Sequence, residues 1–198
     1  MSIEYELIKD DVTANNIAAH APFLQKEVIK IHADGFTLGP SVDEDKPNTS
    51  KNHWAIILET PRKNIRLSME SRLNERTGEH GVLVLKVLDY FGISNNVVHR
   101  QPFSRKCPTI KVQHILDLVF AQGWHKYKML TTSNGAKKGC RHHIQTMLVG
   151  FQSRNWIDSQ SDTSKSVEKF LPFVYTRYTD DSRKISIEKR PIDIGRFL

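Results

Sequence analysis

Between Asn52 and Tyr90 three apolar runs follow one another across short polar breaks. They are Asn52 to Glu59, Asn64 to Glu70 and Val82 to Tyr90, separated by Thr60-Pro61-Arg62-Lys63 and by the stretch from Ser71 to Gly81. Runs of this kind read as strands, and connections this short join antiparallel neighbours, so the pattern is a meander. In the second run Ile65, Leu67 and Met69 alternate with Arg66, Ser68 and Glu70, which gives one buried face and one polar face. Two segments downstream have the period needed to cover a sheet. Val112, Ile115, Leu116, Val119 and Phe120 recur at helical spacing, with Thr109 as the expected cap and Gly123 just past the end. Ile144, Met147, Leu148 and Phe151 fall at i, i+3, i+4 and i+7 after Cys140. The expected fold class is α+β, an antiparallel sheet with helices packed on it.

With 198 residues, 38% of them hydrophobic, the chain suits a single domain with one core. Residues 1–22 read as an N-terminal arm, Lys26 to Phe36 as a first strand closed by Asp34-Gly35, and residues 41–51 as a polar loop beside His53. Residues 94–108 form a basic connection with room for one short strand, and Trp124 to Leu130 a strand leading to a glycine-bearing loop. Val167, Phe170, Leu171, Val174, Tyr175 and Tyr178 suit a third helix, either kinked at Pro172 or giving way to a strand at Phe173. Residues 183–198 are an extended basic tail. No apolar run approaches the roughly 18 residues of a membrane span. The opening Met-Ser-Ile-Glu-Tyr-Glu is acidic where a signal peptide would be basic, and two cysteines in unlike contexts suit a reducing compartment. A soluble, cytoplasmic protein is expected.

The chemistry concentrates on Cys140. A helix beginning there presents unpaired amides and the positive end of its dipole to the thiol, and Arg141, with Lys137 and Lys138, adds positive potential. A thiolate needs a proton acceptor, and His53, at the entrance to the apolar strand His53-Trp54-Ala55-Ile56-Ile57-Leu58, is the candidate base. Arg66, Ser68, Trp54, His143 and Arg141 are candidates for orienting that base or binding substrate. Cys140, His143 and His53 also have the donor types of a zinc site, but no compact Cys-x-x-Cys or His-x-x-x-His spacing accompanies them. There is no GxGxxG, P-loop or Gly-x-Ser-x-Gly motif, so the reading is covalent chemistry with no cofactor and no metal.

The histidine strand followed by Gly139-Cys140-Arg141-His142 at a helix start resembles the circularly permuted papain-like families. These include lecithin retinol acyltransferase and its phospholipase/acyltransferase relatives among the NlpC/P60-type enzymes. In them the histidine strand precedes the cysteine helix. The resemblance covers two short motifs and the order of elements over residues 50–152. It implies a permuted papain-like arrangement with Cys140 as nucleophile and His53 as general base. The acyltransferase relatives carry a second histidine on the following strand, where this chain has Asn64, Arg66 and Ser68. From Asn52-His53-Trp54 through Gly139-Cys140-Arg141 to Gly195-Arg196-Phe197, the chain is also similar to small fungal proteins of uncharacterised function.

The expected activity is acyl transfer through an S-acyl intermediate on Cys140, acting on a small-molecule or peptidyl ester, thioester or amide. Hydrolase, transferase and cyclase would share every residue named. The net charge of +7 admits a variant in which aminoacyl-tRNA is the acyl donor, giving a peptide or cyclodipeptide. The competing class is a non-catalytic basic binding module, in which Arg100, Arg105, Lys106 and Lys111 meet nucleic acid or another anionic partner.

Overall fold

The computed structural model describes residues 3–6, 22–40, 50–74, 78–89, 93–133, 135–157, 169–177 and 185–198. β1 (Ile3–Glu6), β2 (Lys30–Pro40), β3 (Ser50–Glu59), β4 (Asn64–Asn74), β5 (Glu79–Leu88) and β6 (Val97–Phe103) form one antiparallel sheet in the order β1-β5-β4-β3-β2-β6. Its middle is the meander expected from the three apolar runs. Alternation sends Ile31 and Ala33, Trp54, Ile56 and Leu58, Ile65, Leu67 and Met69, and Leu83, Leu85 and Val87 to one face, where all join the principal core. Burying each large aliphatic chain contributes roughly 1.5–3 kcal/mol, so this face holds the sheet to its cover. The opposite face carries a smaller apolar cluster of Phe36, Ala55, Ile57 and Val97.

The two central strands part midway. β3 pairs with β4 from Glu59 opposite Asn64 to Ala55 opposite Ser68. Beyond that point β4 continues against β5 as far as Asn74 opposite Glu79, while β3 continues against β2 as far as Ser50 opposite Pro40. α1 (Val112–Ala121) and α2 (Cys140–Ser153) cover the principal core, and α2 touches both β3 and β4. Ile144, Met147, Leu148 and Phe151 of α2 are all fully buried, as their spacing predicts. Among the described residues no helix is long and apolar enough to cross a membrane.

Several boundaries differ from expectation for local reasons. Asp34-Gly35 lies inside β2 instead of closing it, because Gly35 stands opposite Trp54 and a Cβ there would lie 3.0 Å from the indole. Lys111, not Thr109, caps α1, and its N–H donates to His114 Nδ1 at 3.3 Å. The stretch after Trp124 yields only short strands: β7 (Tyr127–Lys128), and β8 (Leu130–Thr131), which pairs with β9 (Lys137–Lys138). After Pro172 the chain is extended as β10 (Phe173–Arg177), paired with β11 (Ile185–Lys189), so of the two alternatives for this segment the strand at Phe173 is present. β12 (Arg196–Phe197) pairs with β7. The polar loop over residues 41–49, most of the N-terminal arm and the start of the expected third helix lie outside the described residues.

Gly150 tests how tightly α2 is packed. Replacing a helical glycine by alanine ordinarily adds up to about 1 kcal/mol of helix stability. Here the new Cβ would meet Trp124 Cη2 at 2.0 Å. Gly150→Ala is therefore expected to lower stability by about 1–3 kcal/mol, read as a lower urea midpoint at unchanged m value.

Candidate functional site

Cys140 occupies the first position of α2, and Gly139 before it has φ of +127°, a conformation that favours glycine. The first helical hydrogen bond runs from the His143 N–H to the Gly139 carbonyl at 3.1 Å, so the amides of Cys140, Arg141 and His142 precede the ladder. The thiol is half-buried and unoxidised. Its sulfur lies 4.0 Å from the Asn52 carbonyl oxygen, on the stretch of β3 that has parted from β4. The peptide it touches is the one leading into His53. The Asn52 side chain faces away to β10, donating to the Tyr175 carbonyl at 2.8 Å and accepting the Tyr175 N–H at 2.6 Å.

The structure brings His53 and Cys140 into neighbouring positions but divides their side chains between faces. His53 stands opposite Phe36 in the β2–β3 register, so its ring belongs to the sheet face of Phe36, Ala55 and Ile57. Cys140 packs against the principal core on the other side. Arg66 and Ser68 do share the face of His53, as expected. There Glu70 accepts from Arg66 Nη2 and from the Ser68 hydroxyl, each at 3.4 Å, and Arg66 lies over the Phe36 ring. Glu70 is the carboxylate that the sequence reading passed over on this face. Trp54 is fully buried, its indole against Phe170 and Tyr175, and so is a core residue and not a surface for substrate.

The other candidates near the thiol are held by the protein itself. His143 is fully buried and its Nε2 bonds the Trp124 carbonyl at 2.8 Å, which places the proton on Nε2. Arg141 donates to the carbonyls of Leu171 at 3.0 Å and Pro191 at 2.7 Å and lies 3.7 Å from the Asp193 carboxylate. Burial lowers the Arg141 pKa, opposed by the charge of Cys140 and then of Asp193. Its donors tie the segments at Leu171 and at Arg190–Pro191 to the start of α2. Tyr127, which the sequence reading did not single out, donates its hydroxyl to the Gly139 carbonyl at 3.0 Å, accepts the Gly195 N–H at 2.9 Å and lies 3.0 Å from His142 Nδ1. Burial pushes its pKa up to about 12, so the phenol is neutral.

The cations of the basic connection have different partners. Arg100 makes a bidentate pair with Asp34, at 2.8 and 2.6 Å, and Asp34 is only 1% exposed. Arg105 pairs with Glu27 and donates to the Val28 carbonyl, and Lys111 bonds the Gln25 side chain at 3.1 Å. Lys106 is exposed. Among the described residues no three His, Cys, Asp or Glu side chains gather to hold a metal ion.

The family model described as a domain of unknown function, DUF7770, matches residues 36–198. The chain belongs to the DUF7770 family. The match takes in Asn52, His53, Tyr127, Cys140 and the C-terminal segment, so the whole neighbourhood of the thiol lies within the DUF7770 domain. No curated protein and no solved structure matches the chain.

Two stability measurements check these assignments. Arg100→Met would leave the Asp34 carboxylate buried without its cation and is expected to cost about 3–5 kcal/mol, far more than removal of a surface charge. Burial also holds the His143 pKa down to about 4, from an ordinary 6.5. Between those values the unfolded chain binds more protons than the folded one, so stability falls as pH drops through the window and levels off below it. At about 1.36 kcal/mol per pKa unit the loss is on the order of 3 kcal/mol. In His143→Gln, urea midpoints measured from pH 7 to pH 4 are expected to lack that component.

Proposed function

We propose that this DUF7770 protein is a cysteine-dependent acyl-transfer enzyme in a permuted papain-like arrangement, with Cys140 as nucleophile and His53 as base. The observation that carries the reading is the sulfur of a helix-start cysteine lying 4.0 Å from the Asn52 carbonyl, one peptide from a histidine. For the pair to work, the His53 ring must reach the thiol past the end of the β3–β4 ladder.

The reaction has two halves. His53 takes the thiol proton, and the Cys140 thiolate adds to the carbonyl carbon of an ester, thioester or amide. Developing negative charge on the carbonyl oxygen is met by amides of Cys140 and its neighbours at the start of α2, with Arg141 adding positive potential. The C–O, C–S or C–N bond to the leaving group then breaks, and the leaving group departs with the proton held by His53. Water or an amine next attacks the thioester, gives its proton to His53, and releases Cys140 as thiolate. The ion pairs of Arg100 with Asp34 and of Arg105 with Glu27 weigh against the binding-module reading.

In a Cys107→Ser background, iodoacetamide at pH 6.5 is expected to label Cys140 at least tenfold faster than a free thiol peptide; labelling no faster than the peptide would sink the nucleophile. Screening with acyl esters and thioesters and reading intact mass should give an acyl adduct on the wild type and none on Cys140→Ala. His53→Ala should retain a slow turnover that rises with pH, as hydroxide makes the thiolate that the imidazole no longer makes.

A further inference from the structure

Near Cys140 the side chain of Tyr127 is closely enclosed, and its enclosure is built in part from glycines. A Cβ at Gly139 would lie 2.8 Å from the Tyr127 hydroxyl, and one at Gly195 would lie 2.4 Å from it. A Cβ at Gly81 would lie 2.0 Å from the Tyr127 carbonyl oxygen. Gly139 and Gly195 therefore forgo side chains at one phenol, and Gly81 does so at the backbone of the same residue. Its ring is wedged by Phe197, with centroids 4.8 Å apart, and by His143 at 5.3 Å. The hydroxyl has one proton, which goes to the Gly139 carbonyl at 3.0 Å; it accepts the Gly195 N–H at 2.9 Å, leaving a lone pair toward His142 Nδ1 at 3.0 Å.

The Gly139 carbonyl is half of the peptide whose other half is the Cys140 N–H. Holding that oxygen fixes the plane of the peptide from which the helix and the thiol both start. The same hydroxyl takes its own position from the C-terminal segment, which is anchored independently by β12 on β7, by the Leu198 N–H on the Lys126 carbonyl at 3.0 Å, and by Arg141 on the Pro191 carbonyl. We propose that Tyr127 is the positioning residue of the Cys140 centre: held by Gly195 of the C-terminal segment, its hydroxyl fixes the Gly139–Cys140 peptide and so aligns the thiol with the first-turn amides of α2. This inference rests on the acyl-transfer reading for the use of the thiol and adds what sets its reactivity. The charged and titratable groups around that peptide are Lys138, Arg141, His142, His143 and Tyr127, with Asp193 beside both Lys138 and Arg141 and with Arg190 acting on Arg141.

Tyr127→Phe keeps the ring and removes only the hydroxyl. In the Cys107→Ser background, the rate of Cys140 alkylation by iodoacetamide is measured from pH 5 to pH 10. The expected result is a profile displaced to higher pH, with the rate at pH 6.5 down at least tenfold and the plateau at high pH kept within about twofold, as for a thiol that has lost its local stabilisation. Gly195→Ala, which crowds the hydroxyl without removing it, should displace the profile in the same direction and stands in if Tyr127→Phe does not fold. Ile144→Val, a core truncation in the same helix, should lower Tm and leave the profile in place. A Tyr127→Phe or Gly195→Ala profile coincident with a perturbed wild type overturns this inference and leaves the acyl-transfer reading standing. An ordinary thiol profile in the wild type overturns both, and an Ile144→Val displacement equal to that of Tyr127→Phe reduces the effect to general loosening and overturns the positioning role alone.

Discussion

The parting of β3 from β4 is the constraint on which the rest of the molecule depends. Hydrogen bonding would favour continuing the ladder, yet after Ala55 and Ser68 each strand keeps only its outer neighbour. The backbone groups and apolar surface released by the split are met by other elements. The sulfur of Cys140 comes to the Asn52 carbonyl, and α2 lies across both strands. The start of α2 thus meets strand backbone because the sheet is incomplete there. In a fully laddered meander the helix would rest on a continuous face and its first residue would meet side chains alone.

Much of the frame was legible because alternation and helical spacing are written in single residues. Ile65, Leu67 and Met69 announced their strand and their face, and Ile144, Met147, Leu148 and Phe151 their helix. Errors fell where one residue type serves two purposes. Asp34-Gly35 has the composition of a turn, but the missing side chain makes room for the Trp54 indole. The start of the Cys140 helix was legible for the same reason as the rest of it. The face of His53 was not, because alternation places it only once the register with Phe36 is known. Tyr127 had no sequence signal at all: its partners are a carbonyl at Gly139 and an amide at Gly195, and main-chain groups leave no mark in composition.

The net positive charge illustrates a related point. A formal +7 counts cations without their neighbours, and here many cations have them. Lys63 with Asp89 and Lys128 with Glu79 are solvent-facing pairs, and water and salt screen such pairs until they contribute little to stability. Asp34 with Arg100 is different in kind, since the carboxylate is buried and its loss of partner would be felt in full. The same composition therefore includes charges that matter to the fold and charges that matter little, and only burial separates them.

The two hydrogen bonds between the Asn52 side chain and the backbone of Tyr175 give β10 an attachment to the sheet that a carboxamide provides in place of a neighbouring strand. A ladder is cooperative, because each bond fixes the geometry of the next; a carboxamide clasp is a single unit. The hairpin of β10 and β11 has its own five-residue register. Tyr175 is buried in the principal core against Trp54, so opening the clasp would uncover apolar surface, and the hairpin is expected to open together with the sheet in native-state hydrogen exchange. The amide of Tyr175, bonded to Asn52 and to nothing periodic on that side, would be the reporter of its opening.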